Sequence, residues 1–143
     1  PLDGLQTGKT RVLIVDDEKN TRDGLRDALE DHFEVYVAAD TAGALAALEA
    51  DPADVMITDL MLGGSMHGFE LIQSIRNELG LDYLTLPILL MTIEPGEDER
   101  TDFTGIFGAG TNDFITKPVD ESDLLARLQT LVNIKRQSEA LNP

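Results

Sequence analysis

Five short apolar runs, each bounded by turn formers and each followed by a stretch with helical spacing, constrain the fold of this chain more than any other feature. They run from Arg11 to Val15, Phe33 to Ala38, Asp54 to Thr58 inside "ADVMITD", Pro87 to Thr92 as "PILLMT", and, shorter, Asp113 to Thr116. Such alternation reads as repeated βα units. The first, third and fourth runs are continuously apolar instead of alternating, so those strands need cover on both faces, as in a parallel sheet. The expected fold class is therefore α/β.

Between the runs, Lys19 to His32 carries Leu25, Ala28 and Leu29 at helical spacing, and Thr41 reads as the N-cap of "AGALAALEA". Phe69, Ile72, Ile75 and Leu79 mark a third helical face. The last helix, from about Ser122 to beyond Ile134, is the clearest, with Leu124, Leu125, Leu128, Leu131 and Val132 on one side. The segment "EDERTDFTGIFGAG" offers Phe103, Ile106 and Phe107 but also three glycines, each costing helix stability, so the fourth helix is expected to be the loosest. At 143 residues the chain suits one domain, expected over 10–134. Residues 1–9 read as a disordered leader or linker. The polar helical tail over 135–143 reads as the start of a linker to an output domain.

With 27 acidic and 11 basic residues the formal net charge is −16, which opposes direct binding to nucleic acid phosphates or an anionic membrane. No apolar run reaches eighteen residues, and "PLDGLQTGKT" lacks the apolar core of a secretory segment. Cysteine is absent, which removes disulfides and thiolate metal sites and fits a cytoplasmic protein. What matters is where the acids gather.

In a doubly wound sheet, ligands bind beyond the carboxyl ends of the strands. Asp16 and Asp17 end the first run, Asp59 the third, Thr92 the fourth, and Thr116, Lys117 and Pro118 the fifth. Taken singly, each has an ordinary explanation: a helix N-cap, a turn former, a backbone-bonded hydroxyl, a surface lysine. Jointly, three carboxylates, a hydroxyl and an ammonium converge on one edge of the sheet. Carboxylates so close repel unless a divalent cation lies between them, and magnesium suits such an oxygen site. A carboxylate can also act as nucleophile in phosphoryl transfer, forming an aspartyl phosphate, with the metal and Lys117 neutralising charge.

At these residues the sequence resembles the receiver domain of two-component response regulators, over roughly Thr10 to Ile134. The matching elements are "VLIVDDE", "MITDLML" around Asp59, "LLMT" ending in Thr92, and "DFITKPV" with Lys117 and Pro118. The resemblance implies a flavodoxin-like, five-stranded parallel sheet of order 2-1-3-4-5 flanked by five helices. It implies Asp59 as phosphoacceptor, supplied by a sensor histidine kinase or a phosphotransfer protein, with Mg2+ as cofactor and Mn2+ as a substitute. Asp17 would bind the metal directly, Asp16 mainly through a water, with Asp59 and the backbone carbonyl of Met61 completing the set. Lys117 and Thr92 would contact the phosphoryl oxygens, and Phe114 would be the switch aromatic. The Lys117–Pro118 bond would be cis. Switching would remodel the face made by the fourth helix, fifth strand and fifth helix, to regulate an attached output domain and to support a homodimer. Beyond its own phosphorylation and dephosphorylation, no enzyme activity is implied.

Three stretches depart from the family pattern. The loop "LMLGGSMHGFEL" has Gly63 where a proline is usual and His67 near the usual acid, and it is one residue longer. Ile93 follows Thr92 where a small residue is usual, so a bulky side chain borders the water's route to the phosphoryl group and is expected to prolong the phosphorylated state. The stretch "IEPGEDERTDFTGIFGAG" is about three residues longer than usual. Two other readings compete: a magnesium-dependent phosphatase with an aspartyl nucleophile, and a pseudo-receiver that acts only as an interaction module. The first calls for an acid two residues after Asp59, where Met61 stands; retention of the acids, hydroxyl and lysine opposes the second.

Overall fold

The computed structural model describes residues 10–65, 67–93 and 110–141. In chain order they form β1 (Arg11–Val15), α1 (Lys19–Leu29), β2 (Glu34–Ala38), α2 (Thr41–Ala50), β3 (Val55–Asp59), α3 (His67–Asn77), β4 (Ile88–Ile93), β5 (Asp113–Lys117) and α4 (Glu121–Leu141). The strands make one sheet of order β2-β1-β3-β4-β5, with every pairing parallel. Parallel neighbours need crossovers, and α1, α2 and α3 supply those from β1 to β2, β2 to β3 and β3 to β4. The order is the one expected. The helix expected between β4 and β5 falls on residues outside those described.

Strand periodicity splits the core in two. Leu13, Val15, Met56, Ile88 and Leu90 meet α2 and α3 through Ala44, Leu48, Leu71, Ile72 and Ile75. Val12, Ile14, Val55, Ile57, Leu89 and Met91 point to the opposite face and meet Leu25 and Leu29 of α1 and Leu124, Leu128, Leu131 and Val132 of α4. Alternate residues thus face opposite layers, yet all are apolar because both layers are covered.

Some boundaries differ from the expected ones. β3 runs one residue further, through Asp59, which pairs in register with Met91. The N-cap of α2 is Asp40, not Thr41: its extended backbone lets the carboxylate accept the Gly43 N–H at 2.7 Å, and Thr41 is already helical. α3 ends at Asn77, so Leu79 lies beyond it and is 38% exposed. α4 continues past the last core position to Leu141, its Lys135 ammonium buried at 3.2 Å from Asp54.

The amino end of the sheet is tied by one arginine. Arg76, in the last turn of α3, donates to the carbonyls of Leu81, Asp82, Leu86 and Gly110 and to the side chain of Asn112. Asn112 in turn accepts the Ile88 N–H and donates to the Tyr83 carbonyl. This network fixes the starts of β4 and β5, and so the register that brings their far ends to one edge.

Candidate functional site

At the carboxyl edge, β1 is followed by Asp16 and Asp17 and β3 ends in Asp59; the two strands are paired neighbours inside the sheet, so these acids leave it side by side. Asp16 is 1% exposed and Asp59 8%, whereas Asp17 is exposed. One oxygen from each of the three lies within 4.8 Å of the others.

Lys117, the last residue of β5, reaches across this edge. Its Nζ stands 2.6 Å from Asp59 Oδ2 and 3.3 Å from Asp16 Oδ2, so one ammonium serves two carboxylates. Backbone amides hold three more oxygens: Glu18 donates to Asp16 Oδ1 at 2.9 Å, Met61 to Asp59 Oδ1 at 3.1 Å, and Gly63 to Asp17 Oδ2 at 2.9 Å. The Arg22 guanidinium donates to the Asp16 carbonyl at 2.8 Å and fixes the strand's exit.

These contacts set the local electrostatics. Burial pushes the Asp16 carboxyl above its ordinary value, the Glu18 N–H and the Lys117 charge oppose this, and neighbouring Asp59 adds to it. For Lys117, burial is the largest single influence and pulls downward. The hydrogen bond and charge of Asp59, followed by those of Asp16, together outweigh it and hold the ammonium above its usual value. Three carboxylates against one ammonium leave two negative charges to neutralise. Hard oxygen donors at this separation fit one small divalent cation, with Asp16, Asp17 and Asp59 as the available carboxylates.

The other expected residues are placed as follows. Thr92 ends up buried at 2% exposure, one residue before the end of β4, and its hydroxyl donates to the Ile93 carbonyl at 3.1 Å instead of joining the carboxylates. Met61 sits next to the cluster, 41% exposed. Phe114 lies on β5 at 41% exposure, outside the core. The Lys117–Pro118 peptide bond is cis. His67 opens α3, and its Nε2 is 3.0 Å from the Ser65 hydroxyl, which keeps it in the loop's own hydrogen bonding.

Three glycines shape the site through their backbones, a role that the residue type alone does not reveal in sequence. Gly68 donates its N–H to the Leu60 carbonyl at 3.0 Å, and a Cβ there would lie 1.9 Å from the Asp59 carbonyl oxygen. Only a hydrogen allows α3 to approach Asp59 so closely. Gly63 and Gly64, at φ +65° and +81°, form a turn between Leu62 and Ser65 that other residues adopt with difficulty.

Comparison with known proteins agrees with this arrangement. The family model "Response regulator receiver domain" matches residues 12–129. Among curated proteins, the sensor histidine kinase TmoS of Ectopseudomonas mendocina is 33% identical over 136 residues, covering 95% of this chain and 13% of that protein. The heme response regulator HssR of Staphylococcus saprophyticus is 30% identical over 134 residues, covering 93% of this chain and 55% of that protein. The chain thus spans about half of HssR and a much smaller part of TmoS. Among solved structures, the chemotaxis response regulator CheY4 of Vibrio cholerae superposes with a TM-score of 0.71 at 31% identity, covering 86% of this chain and 98% of that one. NtrX of Brucella abortus, at 24% identity, shares the fold with a TM-score of 0.79, covering 94% of this chain and 29% of that one. With the family model spanning most of the length and the acid edge in place, the chain belongs to the response regulator receiver domain family.

Proposed function

We propose that Asp59 is the phosphoacceptor of this receiver, taking a phosphoryl group from the phosphohistidine of a sensor kinase or phosphotransfer protein. A carboxylate oxygen of Asp59 forms the new bond to phosphorus as the P–N bond breaks; the electron pair leaves on the imidazole nitrogen, which takes up a proton. The observation that carries this reading is the Lys117 ammonium, 2.6 Å from Asp59 and 3.3 Å from Asp16. It stands where the charge of an incoming phosphoryl group needs an opposite partner.

Asp17 would be the direct carboxylate ligand for Mg2+ or Mn2+, with Asp16 acting mainly through a water and Asp59 and the Met61 carbonyl completing the set. The metal's contribution is neutralisation of the phosphoryl oxygens. Asp59 supplies the nucleophilic oxygen, and the Met61 N–H orients it. Thr92 leaves its bond to the Ile93 carbonyl to donate to a phosphoryl oxygen, and Phe114 turns inward from its exposed position. That change is the signal to an output domain, read through the β5 face or through a homodimer built on it. Among the described residues no helix is long and apolar enough to cross a membrane.

The test is Mg2+-dependent labelling with acetyl phosphate or beryllofluoride. Expected is one equivalent bound to the parent chain and none to Asp59→Asn. Undiminished labelling of that variant would reject the assignment.

A further inference from the structure

The loop after β3 departs from the usual pattern at Gly63, and the structure gives that departure a chemical consequence. Asp17 is the one exposed member of the acid cluster, on a backbone that has just left β1, so its carboxylate has rotamer freedom to lose before it can ligate a cation. Among the described residues its carboxylate receives one hydrogen bond, from the Gly63 N–H to Oδ2 at 2.9 Å, across a sequence separation of 46. A proline at position 63 would have no N–H to give.

The donor is held firmly. Leu60 and Leu62 are buried at 1% and 2% exposure and anchor the loop's base, and the Leu60 N–H bonds to the Met91 carbonyl. From that base the chain reverses at Gly63 and Gly64, both with positive φ, and is closed by the Leu62–Ser65 bridge. Two successive left-handed residues define a tight turn whose shape is set by its backbone. Gly63's amide is therefore aimed by buried leucines on one side and by the turn on the other.

We propose that Gly63 is a positioning residue for the divalent cation: its N–H, bonded to Oδ2 of Asp17, holds that carboxylate in one orientation at the cluster. This rests on the reading of Asp16, Asp17 and Asp59 as a cation site. Partners that orient a ligating carboxylate typically change metal affinity by about 10- to 100-fold when lost. The loop is thus part of the metal site without ligating through Gly63.

Mg2+ titration of the phosphoryl-free chain, followed by backbone amide resonances, tests this with Gly63→Pro and Gly63→Asn. Proline removes the N–H and cannot adopt φ near +65°; asparagine keeps the N–H and tolerates that region. Expected is a dissociation constant raised about 10- to 100-fold in Gly63→Pro, with most of the affinity recovered in Gly63→Asn. The Gly63 amide proton should also move upfield in Asp17→Ala, where its acceptor is gone. Unchanged affinity in Gly63→Pro, or an amide shift indifferent to Asp17→Ala, would overturn the proposal while leaving the phosphoacceptor reading intact. A parent chain that binds no Mg2+ would overturn both.

Discussion

At Ile93 a large apolar side chain stands 61% exposed at the end of β4, in register with Lys117. An exposed isoleucine needs no special account alone, but this one pairs with Lys117 on the neighbouring strand, and under the proposed phosphoacceptor reading it flanks the route of water to a phosphoryl group on Asp59. Shortening it to Ile93→Ala should leave acceptance of phosphate from acetyl phosphate intact and speed hydrolysis of the aspartyl phosphate several-fold, read as loss of label after the donor is removed. Equal lifetimes would assign Ile93 no part in access. The residues legible in sequence were those whose ionisable side chains meet at the carboxyl edge of the sheet. Asp16, Asp17, Asp59 and Lys117 are ionisable groups at the ends of recognisable strands, and the structure brings all four together. What could not be read were contributions made by the backbone: the amides of Glu18, Met61 and Gly63 belong to residues whose side chains give no hint of them. Thr92 was legible in place but not in orientation, because a hydroxyl can equally donate to a neighbouring carbonyl, as it does here.

Among the described residues the strands were predictable to within one residue and the helices to within about three, since continuous apolar runs and helical spacing leave strong marks. They failed at their ends, where short-range hydrogen bonding decides. Asp40 outcompetes Thr41 as the cap of α2 because its carboxylate reaches the Gly43 N–H while Thr41 supplies the first helical turn. Close approach between elements is equally silent in sequence, and two glycines make the contrast testable. Gly24 lies inside α1 with nothing within 4 Å of an added Cβ, so Gly24→Ala should stabilise the chain by about 0.5–1 kcal/mol through helix propensity alone. In Gly68→Ala the added Cβ would meet the Asp59 carbonyl oxygen at 1.9 Å and that of Leu60 at 2.7 Å, both backbone atoms at the buried end of β3. α3 has to move off the sheet or β3 has to bend, at a cost of about 3 kcal/mol, the upper end for overpacking. Denaturant midpoints for the two variants should shift in opposite directions. A Gly68→Ala midpoint equal to the parent's would mean that α3 does not depend on this contact.

For the whole molecule the governing quantity is charge. A net −16 on 143 residues favours expansion, and three of the acids are concentrated at one edge of the sheet beside a single ammonium. Two distinct effects of added cations follow. Monovalent salt screens the exposed acids and acts weakly on the whole surface. Mg2+ binds the folded state at a site that unfolding disperses, so its stabilisation grows as the logarithm of concentration over the dissociation constant, reaching about 2.7 kcal/mol at roughly a hundredfold excess. In a chain of this size about 1 kcal/mol moves the unfolding midpoint by roughly 3 °C, which makes the expected rise about 8 °C. NaCl matched for ionic strength should give a small fraction of that rise. Asp17→Ala should abolish the difference between the two salts while keeping the response to NaCl, because it removes the exposed arm of the cluster and leaves the rest of the surface charge in place. If Mg2+ and matched NaCl raise the parent's midpoint equally, the acid edge is only a dense part of a negative surface. If they separate in the parent and converge in Asp17→Ala, the same acids that burden the metal-free fold are the ones through which a divalent cation stabilises it.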